Sequence, residues 1–174
     1  MMDAKRRLQI KDIVMIGMLA AMCAIATTIK IPFGIGAMIH LGSALLFSVA
    51  IVFGGIYAGL AGAIGSAFYD LLMGFSAYTL WSFVIKGIAG FIAGWVAKGL
   101  WPENARAGHG LVRDLIGCIV AAAWTLVGYI AAWWQITGSL TVALSNVPSS
   151  LLTSAVGLIV ALVLAPRLSR AMQR

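Results

Sequence analysis

Apolar residues in this chain come in long unbroken blocks rather than in alternation with polar ones. Uncharged runs extend from Leu41 to Tyr69 and from Leu115 to Pro166, and each is long enough for about two helical spans of roughly 20 residues. Breaks in the pattern set the helix ends. Pro32, Gly34 and Gly36 interrupt the first apolar segment and give a flexible connection, Gly54 and Gly55 mark a tight turn, and residues 74–79 form a short loop. Residues 101–110 are the only plainly hydrophilic internal loop, and residues 137–147 are a polar connection before Pro148, which suits the first turn of a helix. Pro166 and a basic tail close that helix. The pattern predicts helices over residues 13–29, 38–53, 56–73, 80–100, 111–135 and 148–166. The expected fold is an all-α integral membrane protein with six transmembrane helices, a single membrane domain over residues 1–174. A transmembrane β-barrel would need period-two alternation, which is missing.

Composition agrees, since 62% of the residues are hydrophobic and 10% are charged, far from the mix of a soluble domain. Charge then sets the orientation. With both termini cytoplasmic, the inner side receives Lys5, Arg6, Arg7, Lys11, Lys98, Arg106, Arg113, Arg167, Arg170 and Arg174, ten of the twelve basic residues. Lys30 is left outside and Lys86 within a span. The net charge of +7 is therefore a topology signal with some attraction to anionic lipid, and it does not point to nucleic acid. The basic start precedes an apolar segment, but that segment leads into further spans and lacks a cleavage site, which argues against a signal peptide. Cys23 and Cys118 fall within spans and read as packing residues.

Candidate chemistry gathers at the outer side. Asp70 and Lys86 are set into apolar sequence, where a charge facing lipid would cost several kcal/mol, so both are expected to face protein or a water-filled cavity. Lys86 lies about six residues into helix four, roughly 9 Å along it. The two could pair with each other and tie helices three and four together, or they could hold a polar group of a ligand. Tyr78, Trp81 and the connection around Lys30 share that side. His40 reads as an interfacial side chain or as a ligand contact. Trp133 and Trp134 suit an aromatic belt, or could stack on a flat ring with Gln135, Asn146, Ser149, Ser150 and Thr153 supplying hydrogen bonds.

Other chemistries lack their residues. There is no GxxxxGK[ST] loop, so ATP hydrolysis by that route is excluded for this chain, and no HExxH motif or His/Cys/carboxylate set stands at metal-ligand spacing. Ser66 lacks the flanking pattern of a nucleophile elbow. Neither an enzyme, a metal nor a cofactor is expected. Small residues recur at four-residue spacing, as in Ala58/Gly62/Ser66 and Gly90/Gly94, which lets spans approach closely. On helix one, Ala20 and Ala24 could pack within the chain or form a surface for another membrane subunit.

Several runs carry a family resemblance: HLGSA from His40, GGIYAG from Gly54, GAIGSA from Gly62, DLLMGF from Asp70 and WSFVIKG from Trp81. Together they resemble the substrate-binding S components of energy-coupling factor (ECF) vitamin transporters, in the branch with hydroxymethylpyrimidine, pyridoxine and riboflavin-type members. The resemblance implies a non-enzymatic subunit in a prokaryotic cell membrane that binds a small heterocyclic vitamin or precursor, with hydroxymethylpyrimidine first and pyridoxine second. It also implies an outward-facing pocket capped by residues 30–39, and as partners a transmembrane coupling subunit, contacted through Ala20 and Ala24, and two ATP-hydrolysing subunits. The expected pocket residues are Trp133, Trp134 and Tyr78 for the ring, Lys86, Asp70, His40, Gln135 and Asn146 for polar groups, and Trp81 beside them. The rival is a stand-alone proton-coupled secondary transporter or channel working through Asp70 and Lys86, although no inverted repeat supports it.

Overall fold

The computed structural model of the chain describes residues 8–33, 37–101 and 110–172. Helix α1 (Ile10–Thr28) leads into an antiparallel hairpin, β1 (Lys30–Phe33) and β2 (Ala37–His40), in which Lys30 pairs with His40 and Ile31 with Ile39. Helices α2 (Gly42–Phe53) and α3 (Gly55–Leu72) follow, then a single 3-10 turn at Ser76–Tyr78 and α4 (Thr79–Ala97). The second half holds α5 (Leu111–Thr137), a short α6 (Leu140–Ser145) and α7 (Val147–Met172).

Five helical stretches are long and apolar enough to cross a membrane: Ile10–Thr28, Gly55–Leu72, Ser76–Ala97, Leu111–Thr137 and Leu140–Leu168. The remaining predicted span, helix two, is only 12 residues long, about 18 Å at 1.5 Å per residue, well short of a hydrocarbon core of about 30 Å. It begins four residues later than the predicted position 38, because residues 37–40 are drawn into the hairpin ladder. Ten of its residues are buried, among them Leu46, Phe47, Val49 and Ala50. Helix α2 is thus the axis of the bundle, wrapped by α1, α3, α4 and α7, and the apolar core is built along it.

Two further differences from the sequence expectation have simple causes. The connection after α1 is a paired hairpin rather than a flexible link, which satisfies backbone groups that a bare loop would leave open; residues 34–36 at its tip lie outside the described residues. Helix α7 runs through Pro166 instead of ending there, as transmembrane helices tolerate when neighbouring groups satisfy the freed carbonyl.

At the end opposite the hairpin, Gly54 turns the chain from α2 into α3 with φ of 86°, a left-handed region that favours glycine. The first amides of α3 would otherwise lack acceptors. Gly55 N donates to Gly99 O at 2.9 Å and Ile56 N to Leu100 O at 3.1 Å, which ties α3 to the chain leaving α4. On the same side, Tyr57 Oη donates to the buried Asp12 Oδ1 at 2.5 Å and joins α1 to α3, while the Lys98 ammonium donates to the Val52 carbonyl. Lys11, Lys98, Arg113 and Arg167 all belong to helix ends on this side. Lys5, Arg6, Arg7, Arg106 and Arg174, which the charge pattern also assigned to it, lie outside the described residues.

Candidate functional site

The hairpin end encloses a cavity of about 380 Å³, near the lower limit of the 300–1,000 Å³ common for small-molecule sites. Each wall is a polar stripe at helical spacing on an otherwise apolar helix. Helix α3 contributes Gly62, Ser66 and Asp70, and α4 contributes Ser82 and Lys86, directly below Tyr78. Helix α5 supplies Thr125, Tyr129 and Trp133, while Asn146, Ser150 and Ser154 descend on the α7 side together with Ser149 and Thr153. Residues four apart share a helix face, so all four stripes point to one interior. Cys23 and Thr27 of α1, Ser43 of α2, and Lys30 and His40 of the hairpin complete the lining.

Asp70 and Lys86 are each only 7% exposed, yet among the described residues they form no ion pair with one another. The Lys86 ammonium donates to Ser43 Oγ at 3.2 Å and sits 5.6 Å from the centre of the Tyr129 ring, a cation–π distance. Asp70 lies beside Ser82, and its Oδ2 is enclosed without a hydrogen-bond partner. Tyr129 Oη and Ser82 Oγ are 3.1 Å apart. At the rim, Tyr78 and Trp133 place their rings 5.0 Å apart at 45°, and the Lys30 ammonium lies 5.5 Å from the Tyr69 ring and 5.6 Å from the Phe75 ring.

His40 Nδ1 is also enclosed without a partner, near Thr27 Oγ1 at the start of α2. Burial pushes the imidazole from its ordinary 6.5 down to about 3, and the Lys86 and Lys30 charges add to the effect. The ring is neutral at physiological pH and can give or take one hydrogen bond at each nitrogen. Because the unfolded chain protonates more readily, the stability that His40 leaves intact above pH 6.5 is lost as pH falls toward 3. The thermal midpoint in detergent should decline across that window, and His40→Gln should flatten the decline by up to about 1.4 kcal/mol per pH unit. A profile unaltered by the substitution would mean that the imidazole is solvated.

Of the residues expected from sequence, His40, Asp70, Tyr78, Lys86, Trp133 and Asn146 meet at this cavity. Trp81, Trp134 and Gln135 do not line it; Trp134 is 55% exposed on the outer face of α5, as an aromatic-belt residue would be. Asn146 spends its amide locally, donating from Nδ2 to Val142 O at 3.0 Å. Ala20 and Ala24 are buried at 4% and 7% exposure, packed on α3 where Ala20 O lies against Gly65. With Gly17 and Ala21 they line a separate apolar groove of about 390 Å³ between α1 and α3. Tyr129, Ser82 and Ser43, which hold the two charged groups, were not singled out in the sequence. No cluster of metal-ligating side chains occurs among the described residues.

A family model for the S component of ECF-type riboflavin transporters matches residues 7–170. The chain belongs to that family. Its S components are parts of transporters, which fits a multi-pass membrane protein with an internal cavity and makes this a transport family rather than an enzyme family. The solved S component of a bacterial ECF transporter has the same fold, with a TM-score of 0.70 and 19% identity over 96% of this chain and 100% of that one. An uncharacterised protein of Pyrococcus woesei is 30% identical over 100 residues, or 58% of this chain. The chain spans 62% of the length of that curated relative.

Proposed function

We propose that this S component is the substrate-binding subunit of an ATP-driven importer for a small heterocyclic vitamin, and that the hairpin-end cavity is its binding site. The observation that carries the reading is the cavity itself: a carboxylate on α3 and an ammonium on the neighbouring α4, not paired with each other, beneath an aromatic rim. A flat ring with a few buried polar contacts is the usual occupant of such a site. Family membership puts riboflavin first among the candidates, ahead of hydroxymethylpyrimidine and pyridoxine, the two expected from the sequence runs. The hydroxyls of Ser66, Thr125, Ser150 and Ser154 along the walls suit a ligand that carries a hydroxylated side chain.

In this reading the hairpin faces the outside of a prokaryotic cell, and the end bearing Lys11, Lys98, Arg113 and Arg167 faces the cytoplasm, in keeping with the positive-inside rule. A transmembrane coupling subunit and two ATPases supply the energy that a chain without a phosphate loop cannot. The groove beside Ala20 and Ala24 is a candidate contact for the coupling subunit, so Gly17→Trp, at a groove position where an added Cβ meets nothing within 4 Å, should reduce recovery of the complex without weakening vitamin binding.

Titration of purified protein with riboflavin, followed by flavin fluorescence, tests the proposal, with calorimetry for hydroxymethylpyrimidine and pyridoxine. Trp133→Ala should weaken binding about tenfold, or 1.4 kcal/mol, because it removes one face of the ring site. Trp134→Ala should leave affinity unchanged. Failure of all three compounds to bind, or uptake by the chain alone in liposomes without ATPase partners, would overturn the reading.

A further inference from the structure

The two charged groups of the cavity are held apart by neighbours whose own bonds are visible. Lys86 has three donor hydrogens, and among the described residues one goes to Ser43. Asp70 has Ser82 at its side and an enclosed Oδ2 without a partner. Ser82 in turn meets Tyr129 Oη at 3.1 Å, and the Tyr129 ring lies under the Lys86 ammonium. A continuous path thus runs from the acid through Ser82 and Tyr129 to the base, and it keeps the two from collapsing into a direct pair. Burying an unspent carboxylate oxygen and an unspent ammonium in a membrane-embedded wall is costly, and such a cost persists where a third group completes both.

We propose that the gap between Asp70 Oδ2 and Lys86 Nζ is a recognition slot for an uncharged heterocycle edge that presents an N–H donor beside a carbonyl or ring-nitrogen acceptor, with Tyr129 positioning both walls. This rests on reading the cavity as the vitamin site. A ligand offering acceptors alone leaves Asp70 unsatisfied, one offering donors alone leaves Lys86 unsatisfied, and a cation or an anion gains one of the two side chains only against repulsion from the other. A neutral donor–acceptor edge satisfies both at once. Lys30, whose ammonium sits over the Tyr69 and Phe75 rings at the rim, adds positive charge toward Asp70 and so disfavours a cationic ligand further. His40, neutral and with Nδ1 open, adds a third hydrogen-bonding point.

The test compares each parent with a neutral analogue that loses the donor, riboflavin against 3-methylriboflavin and hydroxymethylpyrimidine against its 4-dimethylamino form, whichever the wild type binds; binding of pyridoxine alone, which in neutral form carries no N–H donor, overturns the slot. The wild type should reject the methylated compound by roughly 30-fold, since a buried acceptor is left unpaired. Asp70→Ala, which removes the acceptor and opens space for the methyl, should bring the two ligands within about threefold of each other. Tyr129→Phe keeps the ring beneath Lys86 but unties Ser82, and should reduce the discrimination ratio at least threefold; a merely structural role would lower both affinities equally and leave the ratio intact. Equal binding of both members of a pair by the wild type overturns the slot while leaving the vitamin reading in place. Absence of binding by every parent compound overturns both.

Discussion

Gly94→Ala is expected to destabilise the protein by at least about 3 kcal/mol, at the upper end of what overpacking costs, and Gly94→Val by more. A Cβ placed on Gly94 would lie 2.5 Å from Gly54 C and Gly55 N and 2.7 Å from Gly54 O. One turn earlier, a Cβ on Gly90 would be driven into Ala58 O, with Gly59 N at 2.9 Å. These neighbours are backbone atoms within helix α3 and its first turn, so no side chain can rotate away; the two helices must separate. Close approach of this kind is how spans associate in lipid, where no hydrophobic drive holds them together. Gly17 supplies the contrast, since a Cβ there meets nothing within 4 Å. Gly17→Ala should be neutral or stabilising by up to about 1 kcal/mol, the usual helix preference for alanine. Thermal unfolding in detergent, read by size exclusion or intrinsic fluorescence, measures all three. Gly94→Ala melting with the wild type would mean that α3 and α4 are not packed at backbone distance. The same separation would also displace Asp70 from Lys86, so ligand affinity should fall along with stability.

The spans were legible because lipid imposes a coarse rule, that about 20 apolar residues are needed to cross, and five of the six expected helices obey it. Helix α2 obeys another. It is surrounded by protein, so its apolar run reports burial rather than lipid contact, and length was the only cue that could separate the two. The hairpin was hidden for a different reason: Pro32 and the neighbouring glycines read as breaks, and four-residue strands leave too little alternation to register.

The cavity was legible in its charges and not in its scaffold. Asp70 and Lys86 stood out because charges in a membrane are costly, whereas Ser82, Thr125 and Tyr129 are tolerated singly and draw no notice. Their signal lay in spacing. Tyr78, Ser82 and Lys86 stand at i, i+4 and i+8 on one helix, and Thr125, Tyr129 and Trp133 repeat that pattern on the next. Polar residues on a single face of an apolar helix mark the side turned from lipid. Trp134 and Gln135 follow Trp133 directly and therefore point elsewhere, by roughly 100° and 200° at 3.6 residues per turn, which is why adjacency in sequence was a poor guide to sharing the site.

Lys86→Met should reduce vitamin affinity by at least 100-fold, about 2.7 kcal/mol. Methionine keeps an unbranched stem of similar shape while removing the donors and the charge, so the loss reports chemistry rather than a void. Hydrogen bonds to charged groups contribute about 1.5–3 kcal/mol each, and the variant also leaves Asp70 enclosed without its nearest buried cation, which should lower the thermal midpoint. The double variant Lys86→Met with Asp70→Asn separates the two effects. If both groups serve the ligand, the neutral pair should regain much of the lost stability, because no uncompensated charge stays buried, yet binding should remain at the level of the weaker single variant. If the two groups instead serve only one another through the Ser82 and Tyr129 path, stability and affinity should recover together. The absence of a direct ion pair in the structure, with Lys86 turned to Ser43 and Asp70 Oδ2 left open, favours the first outcome: protein neighbours hold each charge in place and leave both at the cavity wall.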